Sequence, residues 1–275
     1  MDLLSPYISY KGKELDNSCI TKYGLTIQIS LGGFSFVVYD SEHPQVLAMW
    51  AYNNVDAKAH VVAALHEFCE NNALELSSLD KITCVVDDAN YALVPTEFFS
   101  QEQASTYLSF CNGREGDRVI SEHVAAADCV VVYGINEEFL KSLNDMLPRM
   151  ELRHSAAVLV GNILSHNKGL TQYVNVRQSD YDILVADGDK LLFCNSFRFN
   201  GVDDFVYYIV SVMRQYGSPE DVELCFCGMV MPDSEVMRLV DRYVRKVRFL
   251  DSSMLPDDLE APRHHYYVPL DTIPV

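Results

Sequence analysis

Basic residues are scarce in this chain. Its 275 residues include 21 Lys and Arg against 39 Asp and Glu, which gives a formal net charge of -18 and a sequence pI near 4.7. Such a balance repels phosphate backbones and disfavours general nucleic-acid binding. The deficit runs throughout: residues 1–150 carry 9 basic and 21 acidic residues, residues 151–275 carry 12 and 18. Long apolar runs are missing too. No stretch approaches the roughly 18 residues of a membrane span. The start, MDLLSPYISYKGKELDNS, has no basic segment leading into an apolar one, so no signal peptide is expected. Gly-x-Ser-x-Gly, His-Glu-x-x-His and Gly-x-x-x-x-Gly-Lys-Ser/Thr patterns are also absent, which removes the best-marked hydrolase, zinc and phosphate-loop signatures.

Hydrophobic residues make up 49% and charged residues 22%, the balance of a folded protein. The length suits one large domain or two modest ones, with a core that needs no staples. Eight cysteines are present: Cys19, Cys69, Cys84, Cys111, Cys129, Cys194, Cys225 and Cys227. Without a secretory signal they read as reduced thiols of a cytoplasmic protein, several acting as small hydrophobes in apolar strands. Cys225 and Cys227 share one strand face but lack Cys-x-x-Cys partners, so no metal site is expected there.

Patterning predicts strands near 25–31, 33–40, 46–53 and 81–88, with a helix over 57–71 capped by Asp56. Further strands are expected at 91–95, 117–123 and 128–135. Helices follow near 101–110, from a Ser100–Gln103 capping box, and over 136–147. Residues 150–164 read as a short strand and a helix from Ser155. The pattern then begins again: strands at 172–176, 181–187 and 190–199, and a helix at 203–217 capped by Asp203 or Asp204. A strand at 222–228, a helix at 233–244 and a strand at 246–251 complete it. Ile27 matches Val174, Asp56 matches Asp203 and Ile82 matches Val222, at separations of 147, 147 and 140 residues. A repeat of this kind outranks local cues in naming a fold.

An antiparallel three-strand meander, a helix and a parallel strand make a ribonuclease-H-like unit. Two in tandem predict an α/β fold with mixed sheets and actin-like ATPase architecture. The first lobe is expected over 1–150, the second over 151–275 with an irregular C-terminal tail. The run NSFRFNGVDDFVYYIVSV at 195–212, with GGFSFVVYD and VYGINEEFL, resembles a bacterial family of unknown function that has this fold. The resemblance covers most of the chain and implies a fold without an established activity.

In actin-like ATPases the two first hairpins offer backbone amides to a nucleotide between the lobes, and ATP with Mg²⁺ is the implied cofactor. Here the first hairpin keeps Gly32 and Gly33 but lacks the acid expected near Ser30. The second has Asp180 without a glycine, and the later turn has Gly228 where a pair is expected. Asp87, ending a buried strand with Asp88, is the substitute acid, although a solvated turn explains the pair as well. Gly32, Gly33, Asp87, Asp180 and Gly228 are therefore the nucleotide-site candidates, while Gly32-Gly33 reads first as a plain tight turn. Neither catalytic nor metal-ligating residues are assigned. His264-His265, near Asp257, Asp258 and Glu260, reads as a tail strand docked by Tyr266 and Tyr267. Arg238, Arg242 and Arg245 form a basic stripe that suits an acidic protein partner or the helix dipole.

These features predict a non-catalytic protein that acts through protein contacts, as scaffold or regulator. The alternative is an ATP-binding protein, or a weak ATPase or kinase. A metal-dependent nuclease ranks third, because the acids look scattered. The apolar 203–217 helix permits a homodimer.

Overall fold

Residues 23–53 explain the first sheet. Apolar and aromatic residues recur on both strand faces there, so each strand needs cover on both sides. The computed structural model describes residues 5–12, 15–111, 117–252, 254–257, 259, 262–266 and 268. It opens with β1 (Ile8–Lys11), β2 (Tyr23–Ser30), β3 (Gly33–Asp40) and β4 (Val46–Asn53), followed by α1 (Ala57–Asn72) and β5 (Lys81–Asp87). Next come β6 (Tyr91–Pro95), α2 (Ala104–Ser109), β7 (Asp117–Val124), β8 (Cys129–Asn136) and α3 (Glu137–Met146). The chain continues through β9 (Glu151–His154), α4 (Ser155–His166), β10 (Leu170–Val176), β11 (Asp180–Asp187) and β12 (Lys190–Arg198). It closes with α5 (Val202–Tyr216), β13 (Glu223–Gly228), α6 (Glu235–Val240) and β14 (Val247–Phe249).

Two sheets repeat one topology. The first has the order β1-β4-β3-β2-β5-β9 and the second β12-β11-β10-β13-β14. In each, a meander is joined by a parallel strand after one helix: β2 pairs β5 with Ile27 beside Cys84, and β10 pairs β13 with Val174 beside Phe226. Each helix packs an aromatic core onto its meander. Phe68 of α1 lies 5.4 Å from Phe36 and 5.2 Å from Trp50, while Phe205 of α5 lies 4.7 Å from Tyr181. Ring pairs at these separations add to the burial they accompany.

A third sheet, β6-β8-β7, is inserted between β5 and β9 and pairs with neither large sheet. Its strands are expected from patterning; their separation into a sheet of their own is not. Helix α4 holds the assembly together. Eight of its twelve residues are buried, and it shares one core with Val85, Tyr133, Tyr173 and Cys225, which come from all three sheets. A helix apolar on every side belongs in an interior.

Several local expectations are corrected. Ser100 makes no capping bond; residues 101–103 form a 3₁₀ turn, and the Tyr107 hydroxyl accepts from Ser100 N–H at 3.2 Å and donates to Phe98 O at 2.7 Å. The tyrosine closes that turn in place of the serine. The N-cap of α5 is Gly201, with Asp203 and Asp204 within its first turn, where their charge favours the helix N-terminus. Helix α6 stops at Val240, so Arg238 alone lies on it, and Arg242 and Arg245 follow in a turn. His264 and His265 sit in a 3₁₀ turn rather than a strand, and both ring Nε2 atoms face Val230 O, at 2.6 and 3.3 Å. Asp258, Glu260 and Tyr267 lie outside the described residues. Leu255 and Tyr266 of this tail pack on Tyr39 and Met49, so the tail runs from the second sheet onto the first.

Candidate functional site

The ends of the two central strands, β2 and β10, converge. Between β2 and β3 the turn is Leu31-Gly32, and between β10 and β11 it is Arg177-Gln178-Ser179. The turns meet. A Cβ on Gly32 would lie 2.5 Å from Gln178 Oε1, and Gln178 Nε2 donates to Asn54 Oδ1 at 3.2 Å. Gln178 of the second turn thus lies over the first.

The glycines at the two turns have a local cause. Gly33 has φ +156°, and a Cβ there would fall 2.0 Å from Tyr52 O on the paired strand. Gly228 has φ +80°, and its Cβ would fall 2.2 Å from Val176 O. Both glycines are needed by backbone packing alone. Gly33→Ala is expected to destabilise the protein by about 2–4 kcal/mol in urea unfolding, from strain and overpacking together. A loss below about 1 kcal/mol would show that the strands simply move apart.

Arg177 is the centre of the site. Its N–H closes the turn on Asp180 O at 2.9 Å, and its side chain folds inward, buried, among three carboxylates. Nη1 donates to Asp87 Oδ1 at 3.1 Å and to Asp182 Oδ2; Nη2 donates to Asp182 Oδ1 at 2.9 Å; Nε donates to Asp180 Oδ1. The grip on Asp182 is bidentate, the geometry a planar guanidinium favours. Asp87 comes from β5 of the first sheet and Asp182 from β11 of the second, so one guanidinium joins the two halves. The acids that look scattered in sequence are gathered here, and Asp87 is buried rather than part of a solvated turn.

The remaining lone pairs are also used. Gln28 Nε2 donates to Asp87 Oδ2 at 2.9 Å. The Tyr91 hydroxyl donates to Asp182 Oδ1 at 3.0 Å, and Ser196 also donates to Asp182. His154, wholly buried, ends β9 and accepts from Ala156 N–H through Nδ1 at 3.1 Å, which caps α4 and leaves a neutral ring. It packs 4.9 Å from both Tyr91 and Tyr133.

Burial decides the electrostatics. It raises the Asp87 carboxyl pKa, and the Arg177 charge only partly offsets this. It also pushes Asp182 upward, but Arg177 and Ser196 more than compensate and hold that carboxyl below its ordinary value. Burial drives His154 down to about 3. One cation faces three acids, so the cluster carries an excess of negative charge when all are ionised.

Gly32, Gly33, Asp87, Asp180 and Gly228 all line one cavity, together with Arg177 and Gln178. Arg238, Arg242 and Arg245 are exposed, do not line that cavity, and make no ion pair with a described residue. The cavity measures about 60 Å³. That is room for a few waters, against the roughly 300 Å³ at which small-molecule sites begin. Sequence reasoning missed Arg177, Gln178, Asp182, Tyr91 and His154. A signal was present in VRQSDYD: an arginine with acids three and five residues on, set between two apolar strands.

A duplicated ribonuclease-H-like unit with paired hairpins facing one cleft is the actin-like ATPase fold. Comparison with solved structures agrees. A Bacteroides thetaiotaomicron protein with actin-like ATPase fold and unknown function superposes with a TM-score of 0.73 at 23% identity, covering 86% of this chain and 93% of that one. The PilM–PilN type IV pilus biogenesis complex gives 0.56 at 12% identity, covering 90% and 96%. The activator of 2-hydroxyisocaproyl-CoA dehydratase from Clostridium difficile, with bound ADPNP, gives 0.51 at 8% identity, covering 91% and 92%. The chain belongs to the family described as protein of unknown function DUF3822, whose model matches residues 12–247. No curated protein matches it in sequence. Among the described residues, no helix is long and apolar enough to cross a membrane, and no group of three or more His, Cys, Asp or Glu is arranged to hold a metal ion.

Proposed function

We propose that this protein acts through protein contacts, as a scaffold or regulator, and does not turn over nucleotide. One observation carries the reading: Arg177 fills the place between the hairpins with the chain's own cation, bound to Asp87, Asp180 and Asp182. A nucleotide phosphate there would meet three carboxylates, and Gln178 lies over the turn that would offer it amides. The shared core at α4 and the C-terminal tail further oppose lobe opening.

PilM, which has this fold, is seen in complex with PilN, and that supports a contact role by analogy of fold. The exposed Arg238, Arg242 and Arg245 are the surface we assign to an acidic protein partner, and a homodimer is compatible with it. Eight unpaired cysteines suit a reducing, cytoplasmic setting. The competing reading, ATP with Mg²⁺ in the cleft, has the ADPNP-bound activator in its favour. A phosphate-release assay tests turnover. We expect release from Mg-ATP at the level of the protein-free blank. Release that is lost in Asp87→Asn or Asp180→Asn would overturn the proposal.

A further inference from the structure

A second cavity lies on the other side of the first hairpin turn. Ser30, Leu31, Gly32, Asp88 and Gln178 line both spaces and so form the wall between them. This chamber measures about 510 Å³, within the roughly 300–1,000 Å³ of small-molecule sites. It sits outside the carboxyl ends of the parallel pair β2 and β5, where open α/β sheets place ligands. The inserted β7–β8 unit and the starts of α1 and α3 complete it.

Its lining combines apolar walls with placed acids. Val86, Ile135 and Phe139 supply the walls. Asp88 and Asp117 are held by a single buried residue: Asn90 donates its backbone N–H to Asp88 Oδ1 and its Nδ2 to Asp117 Oδ2, the latter at 2.9 Å. Asp56, at the rim, accepts from Lys58 N–H at 3.0 Å. Lys58, exposed, is the one basic residue among the described lining residues. A neutral amide thus fixes two carboxylates at the edge of an apolar space, with three acids against one base. A carboxylate or phosphate ligand would meet net repulsion there, whereas an ammonium would find acceptors and its hydrocarbon body would find the walls.

We propose that this chamber binds a small organic cation, an amine or guanidine carried on an apolar or aromatic body. Its charged head is received by Asp88 and Asp117, with Asn90 as the positioning residue. The proposal does not rest on the protein-contact reading: Arg177 and Asp180 line only the first cavity, and Asp88 and Gln178 stand in the wall that the two share.

The test uses two probes with one body and opposite charge, tryptamine and indole-3-propionate, titrated into the full chain by calorimetry. We expect tryptamine to bind with a dissociation constant below about 1 mM and at least tenfold tighter than the acid, a tenfold ratio being about 1.4 kcal/mol. Asp88→Asn with Asp117→Asn should weaken tryptamine tenfold or more. Lys58→Glu, an exposed change in the first turn of α1 where acids are tolerated, should tighten it several-fold even if the double variant fails to fold. Equal or tighter binding of the acid, no tryptamine binding at millimolar concentration, or weaker binding in Lys58→Glu would overturn the proposal.

Discussion

Arg177→Met is expected to destabilise the protein by about 3–5 kcal/mol in urea or thermal unfolding, the cost of leaving buried carboxylates without their counter-charge. Methionine keeps much of the volume and the stem, so the loss reports charge and hydrogen bonds rather than a cavity. The three acids should respond unequally. Asp182 accepts from Arg177 twice, from Tyr91 and from Ser196, and is held ionised. Asp87 is pushed toward its protonated form by burial. Asp87→Asn should therefore cost the least and Asp182→Asn markedly more. Adding Asp87→Asn to Arg177→Met should recover part of the loss, because it removes one of the stranded charges. A loss below about 1 kcal/mol in Arg177→Met would show that the cluster is solvated and does not join the halves.

Acidification provides the second large effect. His154 has a folded-state pKa of about 3, below the ordinary 6.5. The unfolded chain takes up that proton near pH 6.5 and the folded chain does not, so stability falls as pH drops from about 6.5 toward 3. Between pH 7 and pH 4 the expected loss from this residue is about 3 kcal/mol, at about 1.36 kcal/mol per pKa unit. Asp182 adds to it lower down: its depressed pKa gives stability above the ordinary carboxylate value that is lost below it. Asp87 runs the other way. Its raised pKa weakens the fold at neutral pH, and protonation on acidification relieves that strain. His154→Asn keeps a side chain suited to capping α4 and removes the titrating ring. Urea unfolding of this variant at pH 7, 5.5 and 4 should show a flatter pH dependence than the parent, whatever its absolute stability. An equal slope in both would place the acid sensitivity elsewhere.

The strands and most helices were legible because each is a local pattern of apolar periodicity and caps. Asp56 does cap α1, accepting from Lys58 N–H, and Gly33 and Gly228 do mark turns whose backbone no other residue fits. The repeat was legible because a meander followed by a helix and a strand recurs with nearly constant spacing. What the sequence did not disclose depends on convergence. Asp87, Asp180 and Asp182 lie on β5 and β11, up to 95 positions apart, and nothing local to Asp87 says that an arginine from another sheet will meet it. Arg177 reads as a surface turn residue until those acids are seen around it. The inserted sheet has the same difficulty: β6, β7 and β8 alternate like any strands, and only tertiary pairing shows that they turn away from β5. The three arginines do not share a helix face for a local reason: α6 is six residues long, and Arg242 and Arg245 lie in the turn and bend beyond it.

Arg177 and its three carboxylates occupy the cleft between the hairpins, so the chain itself stands where a nucleotide phosphate would have to enter. The most direct test is a thermal melt of the purified protein with and without millimolar Mg-ATP. A ligand that binds only the folded state adds about 2.7 kcal/mol at a hundred times its dissociation constant. The account predicts an unchanged midpoint for the parent protein. A clear upward shift, lost in Gly33→Val, would show that the cleft opens to nucleotide and would contradict it.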